Sequence, residues 1–333
     1  MFLLACKGNL EGQESFIKAL EFVIPTESSL YQPNTTLFGL TYDGQDFTVL
    51  NNKNTIERFS NQGELLFEKK LATVTLGANF DPVNYPEGLY MNLWSVKKGY
   101  MMQKLSTQGI LKYNKEFNKL EEFPIYPKLS GSIPKSFTFA QRHDGKLLFG
   151  PNFLIGKNLE VNVFDPKRGE FNQFFKIQLS AQIKDVGLDT DKTGNIIVYD
   201  KLGNDFFKID KEGTVVERFQ IDFGEINPTE SESSMTMSVQ KAIKDGNRLI
   251  VANAVLMENN CFSVIFKVFQ KEKFDQSNYI VFIKSGEHLK FIGLKESLYL
   301  TFIEGHLLNI KKSGDKIELN ISGIKNVLES LEE

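Results

Sequence analysis

Between Gly44 and Gly314 the chain repeats a short pattern, apolar-x-x-apolar-x-x-x-Gly, and this repeat limits its fold more than any other feature. Four copies are regular: Ile56, Phe59, Gly63; Met102, Leu105, Gly109; Phe206, Ile209, Gly213; and Leu307, Ile310, Gly314. A fifth, Val161, Phe164 and Gly169, carries one inserted residue, and a sixth has Phe266 and Phe269 with Lys273 in the glycine position. Each closing residue is preceded, 17 to 27 positions earlier, by a turn and an apolar run: Asp43-Gly44, Glu87-Gly88, Asp144-Gly145, Thr193-Gly194, Asp245-Gly246 and Glu296-Ser297. Two signals that stay in phase six times describe an array of supersecondary units rather than two unrelated domains.

The copy from 184 to 221 serves as a template. Asp185–Leu188 predicts a first strand, Asp191-Lys192-Thr193-Gly194 a turn, and the β-branched run Asn195–Tyr199 a second strand. Asp200–Asn204 is a connection, Asp205–Ile209 a third strand, Lys211-Glu212-Gly213 a turn, and Thr214–Phe219 a fourth strand. Four antiparallel strands per unit and six units predict an all-β chain, a six-bladed β-propeller with four-stranded antiparallel blades. The alternative, a pair of β-sandwiches, leaves the shared phase unexplained. Residues 16–333 are expected to form this domain, with Phe16–Ile24 either an added outer strand or a packing segment. The run Ile324–Glu333 reads as a short helix.

The blade pattern, a strand, an Asp-Gly type turn, an apolar run ending in Asp200, the Phe206 and Ile209 strand, then Gly213, resembles that of six-bladed propellers of the TolB-like and NHL-like kind. The likeness rests on turn and packing positions, so it implies a fold and carries no catalytic residue. Met1-Phe2-Leu3-Leu4-Ala5-Cys6 resembles the end of a bacterial lipoprotein signal, with Cys6 as the lipidated residue, although the basic n-region and most of the apolar h-region are missing. Residues 1–15 are then a truncated signal and a polar tether. The alternative is a frayed cytoplasmic terminus. Lys7 directly after the cysteine implies, by the same resemblance, the outer membrane. Together the two features resemble propeller lipoproteins of Gram-negative bacteria and imply a cell-envelope protein whose membrane contact is a lipid anchor.

Net charge is -3, from 39 basic and 42 acidic residues without a long block of one sign, which speaks against a nucleic-acid partner. No run approaches the ~18–20 apolar residues of a membrane-spanning helix. Cys261 lies in the β-rich run Asn260–Phe266 and reads as a small buried apolar group. Asp189–Asn195 with Asp200 imitates a calcium loop. A strand between them, at about 3.3 Å per residue, would hold Asp200 some ~16 Å from the turn, so a plain turn is expected. Gly150–Asn158 imitates a phosphate loop but has the wrong spacing and no Ser or Thr after Lys157. His143, His288 and His306 form no local metal pair. No metal and no cofactor are expected.

The Gly-marked turns fall on one rim of the repeat, whereas the spacing between the signals varies in the second-to-third strand connections on the other. Loops of unequal length on a rigid scaffold are where recognition residues concentrate. The expected ligand-binding residues are Asn152, Asp200, Asn259, His306 and Tyr126, with Asn79, Asp81, Tyr85, Glu225 and Asn227 on the long links. Trp94 is either an aromatic platform or, the favoured reading, a core residue. Neither a G-x-S-x-G elbow nor an H-E-x-x-H run occurs, so a monomeric binding or scaffold protein for a peptide, glycan or envelope protein is expected. A propeller hydrolase or lyase, its site gathered from several blades, is the alternative.

Overall fold

A computed structural model describes residues 20–33, 35–71, 90–96, 98–104, 109–125, 137–141, 145–151, 157–180, 183, 185–191, 193–201, 205–220, 249–258, 261–269, 277–284, 287–294, 297–303 and 306–323. The chain divides into two compact units, one made of Ser15–Ile133 with His306–Glu333, the other containing Pro134–Gly305. The first begins with β1 (Leu20–Val23) and a single 3-10 turn, Ser29–Tyr31. Its first blade is β2 (Leu37–Tyr42), β3 (Asp46–Asn51), β4 (Thr55–Ser60) and β5 (Leu65–Lys70). The second is β6 (Tyr90–Val96), β7 (Gly99–Lys104), β8 (Gly109–Tyr113) and β9 (Lys119–Pro124).

The other unit holds the third blade, β10 (Phe137–Gln141), β11 (Leu147–Pro151), β12 (Asn158–Asp165) and β13 (Glu170–Gln178). The fourth is β14 (Val186–Thr190), β15 (Ile196–Asp200), β16 (Asp205–Ile209) and β17 (Val215–Gln220). The fifth is β18 (Leu249–Glu258), β19 (Cys261–Phe269), β20 (Ser277–Lys284) and β21 (Glu287–Leu294), and β22 (Ser297–Ile303) follows it. Back in the first unit, β23 (His306–Ser313) pairs with β24 (Lys316–Gly323), and β24 pairs with β1. Every pairing within the blades is antiparallel, and the protein is an all-β propeller with four-stranded blades.

Burial falls from the inner strands to the fourth, because blade faces stack on one another while the last strand is an edge. β3 and β7 are almost wholly buried, β5 alternates half-buried and exposed residues, and β9 is largely exposed. The edges carry charge that discourages pairing with another chain: Glu68, Lys69 and Lys70 on β5, and Lys119, Glu121 and Glu122 on β9. Between the first and second blades, Leu50, Ile56, Tyr90, Leu93, Tyr100, Met102, Leu111, Tyr113 and Phe117 form one apolar cluster. Between the third and fourth, Leu148, Leu159, Val161, Ile183, Val186, Leu188, Val198 and Phe207 form another. Trp94 is buried on β6, in agreement with the core reading.

The third-to-fourth hairpins of the first, second and fourth blades share one recipe. A Ser, Asp or Asn ends the third strand, its side chain accepts the N–H groups two and four residues on, and a residue with positive φ closes the turn. In the first blade Ser60 Oγ accepts from Gln62 (3.2 Å) and Glu64 (3.1 Å), and Gly63 has φ 87°. In the fourth, Asp210 Oδ1 accepts from Glu212 (3.1 Å) and Thr214 (2.8 Å), and Gly213 has φ 87°. In the second, Asn114 Oδ1 accepts from Glu116 (3.1 Å) and Asn118 (2.8 Å), but Phe117 takes the positive φ, at 54°. The register shifts beside all three turns, as expected of a bulge after an αL residue.

That substitution corrects the reading of the second copy. Gly109 opens the third strand and is not the third-to-fourth turn, which contains no glycine and so escaped a glycine-based pattern. The late copies also slip by one strand. Phe266 and Phe269 lie on the second strand of the fifth blade, and position 297 starts β22 after the fifth blade has closed, so the Glu296-Ser297 signal marks a boundary between sheets. Gly314 turns β23 into β24. In the C-terminal copy the slip has a cause: β1 lies beside β24, with Leu20 opposite Ile321 and Val23 opposite Glu318, and supplies the outer strand that this copy lacks. The expectation of six like copies is thereby corrected: five complete blades stand within the units, whereas the last copy is split, β22 in one unit and β23 with β24 in the other. Residues 1–15, the turn signals at 87–88 and 245–246, and the expected helix at 324–333 lie outside the described residues.

Candidate functional site

Strand direction gives every blade two rims. On one rim the hairpin turns consume their own polar side chains, as the Ser60, Asn114 and Asp210 turns do. The fourth blade's first turn is the fullest case: Asp191 Oδ1 accepts from Thr193 N (2.9 Å), Thr193 Oγ1 (2.8 Å) and Asn195 N (2.8 Å), and Oδ2 accepts from Asn195 Nδ2 (2.7 Å). The calcium-like run is therefore a self-capped turn, and Asp200 stands at the far end of β15, opposite Val186. Among the described residues, no cluster of three or more His, Cys, Asp or Glu is placed to hold a metal ion.

The opposite rim differs between blades. At the first blade, the β3–β4 connection is sealed. Asn51 Oδ1 accepts from Lys53 N (2.9 Å) and Thr55 N (3.1 Å), and its Nδ2 donates to Ser29 Oγ (2.7 Å). Asn52 Oδ1 takes Thr36 N (3.0 Å), and Asn54, at φ 56°, takes Tyr90 N (3.2 Å). All three asparagines are buried, and their work is structural.

At the fourth blade the same rim gathers charge. β15 ends in Asp200, and the next residue, Lys201, donates its backbone N–H to the carbonyl of Asp185 (2.7 Å), which fastens the connection to the start of β14. Asp185 is buried, and Asp200 and Lys201 are half-buried. Beside them Asp205 Oδ1 accepts from Arg218 Nε (2.9 Å) and Nη2 (2.6 Å) and from Gln220 Nε2 (3.0 Å), with the Arg218 guanidinium 5.7 Å from the Phe207 ring centre. Burial lowers the Lys201 amine to about 8, the charge of Asp185 working in the opposite direction. Burial also pushes the Tyr199 phenol upward, with Asp189 adding to the effect. The rim thus offers an amine that exchanges its proton near neutral pH, flanked by carboxylates. Such a group donates hydrogen bonds to a carbonyl or carboxylate and can also serve as a proton carrier.

Of the expected ligand residues, Asp200 belongs to this rim. His306 is buried as the first residue of β23, opposite Gly323 in register, and belongs to the other unit. Asn152, Asn259, Tyr126 and Cys6, like the link residues Asn79, Asp81, Tyr85, Glu225 and Asn227, lie outside the described residues. Sequence reasoning missed Lys201 and Asp185. The available signal was their place, one after the Asp that ends a buried strand and one before the strand beside it.

No family model matches the chain, and no curated protein matches it. Solved structures do. A member of the DUF4221 family from Bacteroides vulgatus aligns at 9% identity over 92% of this chain and 97% of that one, with a TM-score of 0.54. A candidate exported protein of Bacteroides fragilis aligns at 12% identity over 92% and 95%, at 0.51. A streptogramin B lyase aligns at 10% over 93% and 100%, at 0.50. No helix among the described residues is long and apolar enough to cross a membrane. Likeness at this level of identity concerns the backbone alone, and it agrees with the strand order in making this chain a β-propeller of four-stranded antiparallel blades.

Proposed function

We propose that the protein is an envelope-anchored binding or scaffold propeller that holds a peptide, glycan or envelope protein on the rim formed by the second-to-third connections. One observation carries this reading: Asp185, Asp200, Lys201 and Asp205 gather charge at the second-to-third connection of the fourth blade, with the Lys201 amine lowered to about 8. Asn152, Asn259, Tyr126 and His306 complete the proposed set. Cys6 is the proposed lipid anchor, with the outer membrane as the location and the cytoplasm as the alternative. The exported Bacteroides fragilis protein with a similar fold is in keeping with an envelope location.

A panel of envelope peptides and glycans, followed by calorimetry, tests the reading. Binding should weaken at least tenfold in Asp200→Asn and in Lys201→Met, with the melting temperature of Asp200→Asn nearly unchanged, since half-exposed loop substitutions usually shift stability by less than about 0.5 kcal/mol. Stability lost with binding intact would show these to be packing residues. Intact-mass analysis of the natively expressed protein tests the anchor: a chain beginning at diacylated Cys6 supports it, and an unprocessed Met1 overturns it.

The lowered Lys201 amine favours a second reading, a hydrolase or lyase that uses this rim for proton transfer; one solved propeller of similar fold is a streptogramin B lyase. Turnover of lactones, glycans or peptides that disappears in Lys201→Met would establish it in place of the first.

A further inference from the structure

The described segment 24–36, apart from residue 34, joins β1 to the first blade and is tied at both ends. Toward the C-terminal strands, Ile24 N–H donates to the Ile317 carbonyl (2.8 Å), and the Tyr31 hydroxyl bridges the Ile24 carbonyl (2.9 Å) and the Ile317 N–H (2.9 Å). Toward the first blade, the ties come from Asn51, Asn52, Lys53 and Glu57, and Glu57 is the carboxyl among them. Glu57, fully buried on β4, takes Ser28 Oγ on Oε2 (2.8 Å) and the Ser29 N–H on Oε1 (2.6 Å). Ser28 in turn caps the 3-10 turn by accepting the Leu30 N–H (3.1 Å), and Ser29 Oγ accepts from Asn51 (2.7 Å).

A buried carboxylate is normally matched by a cation. The partners of Glu57 are neutral donors, and the charged group that acts on it is Glu68, its register neighbour on β5, which has the same sign. From β3 the facing residue is Val49. Lys53, in the adjoining connection, is turned outward to Gln32 Oε1 (3.1 Å) and the Pro33 carbonyl (3.2 Å). Burial without a facing cation and the like charge of Glu68 favour the neutral carboxyl, while the two donors from Ser28 and Ser29 favour the charged one.

We propose that Glu57 is a proton-operated latch, holding the segment 24–36 against the first blade while its carboxyl is neutral and loosening it on ionisation. Burial raises the carboxyl above its ordinary 4.5, with Glu68 adding to the rise and the Ser28 and Ser29 bonds opposing it. The stabilisation is complete below 4.5 and is lost as pH climbs through the raised value, because the released segment exposes a carboxyl of ordinary acidity. The 2.8 Å contact to Ser28 suits either polarity, since the hydroxyl can rotate from donor to acceptor.

Hydrogen exchange on the full chain between pH 4 and 8, corrected for intrinsic rates, reads the latch directly. Protection of amides in 24–33 should fall by up to about tenfold per pH unit above 4.5 and then level off. In Glu57→Gln the fall should vanish, because the amide stays neutral at every pH. Tyr31→Phe cuts the other tie and should lower protection uniformly without altering the pH profile. Ser28→Ala, which removes a bond favouring the charged form, should move the levelling point to higher pH, and it decides the matter if Glu57→Gln does not fold. An identical pH profile in wild type and Glu57→Gln, an unmoved profile in Ser28→Ala, or a fall shared equally by the amides of β7, would overturn the proposal.

Discussion

Phe117 occupies a left-handed backbone conformation where the equivalent turns use glycine, a choice that costs about 1–2 kcal/mol. Its ring repays the cost by stacking on Tyr100 at 4.4 Å and Phe67 at 5.7 Å while fully buried. Losing the ring outweighs relieving the strain, so Phe117→Ala should destabilise the protein by about 3–5 kcal/mol in urea unfolding. Phe117→Gly should fall short of that loss, because glycine recovers the strain. Equal losses would mean that the backbone stores none. Lys201 permits a second test at this scale. Between its folded value of about 8 and the ordinary 10.5, the unfolded chain binds a proton that the folded chain does not, so stability should climb with pH across that window. In Lys201→Met the climb should flatten, as read from the urea midpoint. These residues were poorly legible in the sequence: a Phe is the last residue a turn pattern would admit, and the acidity of a lysine depends on what covers it.

At the scale of the element, the third-to-fourth turns of the first, second and fourth blades are each covered by an aromatic side chain from a neighbouring outer strand. Phe22 of β1 lies over Gly63, Phe67 of β5 over the Phe117 turn, and Phe175 of β13 over Gly213. A methyl group on Gly63 would stand 2.7 Å from the Phe22 ring and would occupy φ 87°. Gly63→Ala should therefore destabilise by more than about 1–2 kcal/mol, the conformational part alone. In a Phe22→Ala background the cost should shrink toward that part, and a double-mutant cycle measures the difference. An unchanged cost would show that the ring yields freely. The turn chemistry of these elements was readable locally, because Asp43, Asp191 and Asp210 act on backbone within four residues of themselves. Which aromatic covers which turn was not, since the partners come from different blades.

For the whole molecule, β1 completes the sheet of β24, so the two ends of the propeller chain meet in one ladder. Deleting residues 1–24 should leave β24 as an open edge beside a row of unpaired backbone groups, lower the melting temperature and favour association on size-exclusion chromatography. A truncated chain that stays monomeric with unaltered melting would show that the ladder contributes little. By the same logic the latch at Glu57 and the bridge at Tyr31 act on the stretch of chain that leads from this ladder into the first blade.

The number of strands per blade, their antiparallel sense and the rim where the turns close all follow from local signals: apolar runs of strand length punctuated by residues suited to positive φ. The fourth blade matches its sequence reading almost strand for strand. Three things depended on residues distant in sequence. The slip of the last copy exists because β1, nearly three hundred residues from β24, supplies the missing strand. The sealing of the first blade's rim depends on Ser28 and Ser29 reaching Glu57 and Asn51. The acidity of Lys201 depends on burial beside Asp185. Local backbone preference acts over a few residues and leaves a mark in the chain, whereas burial and long-range pairing come into being only when distant segments displace water together.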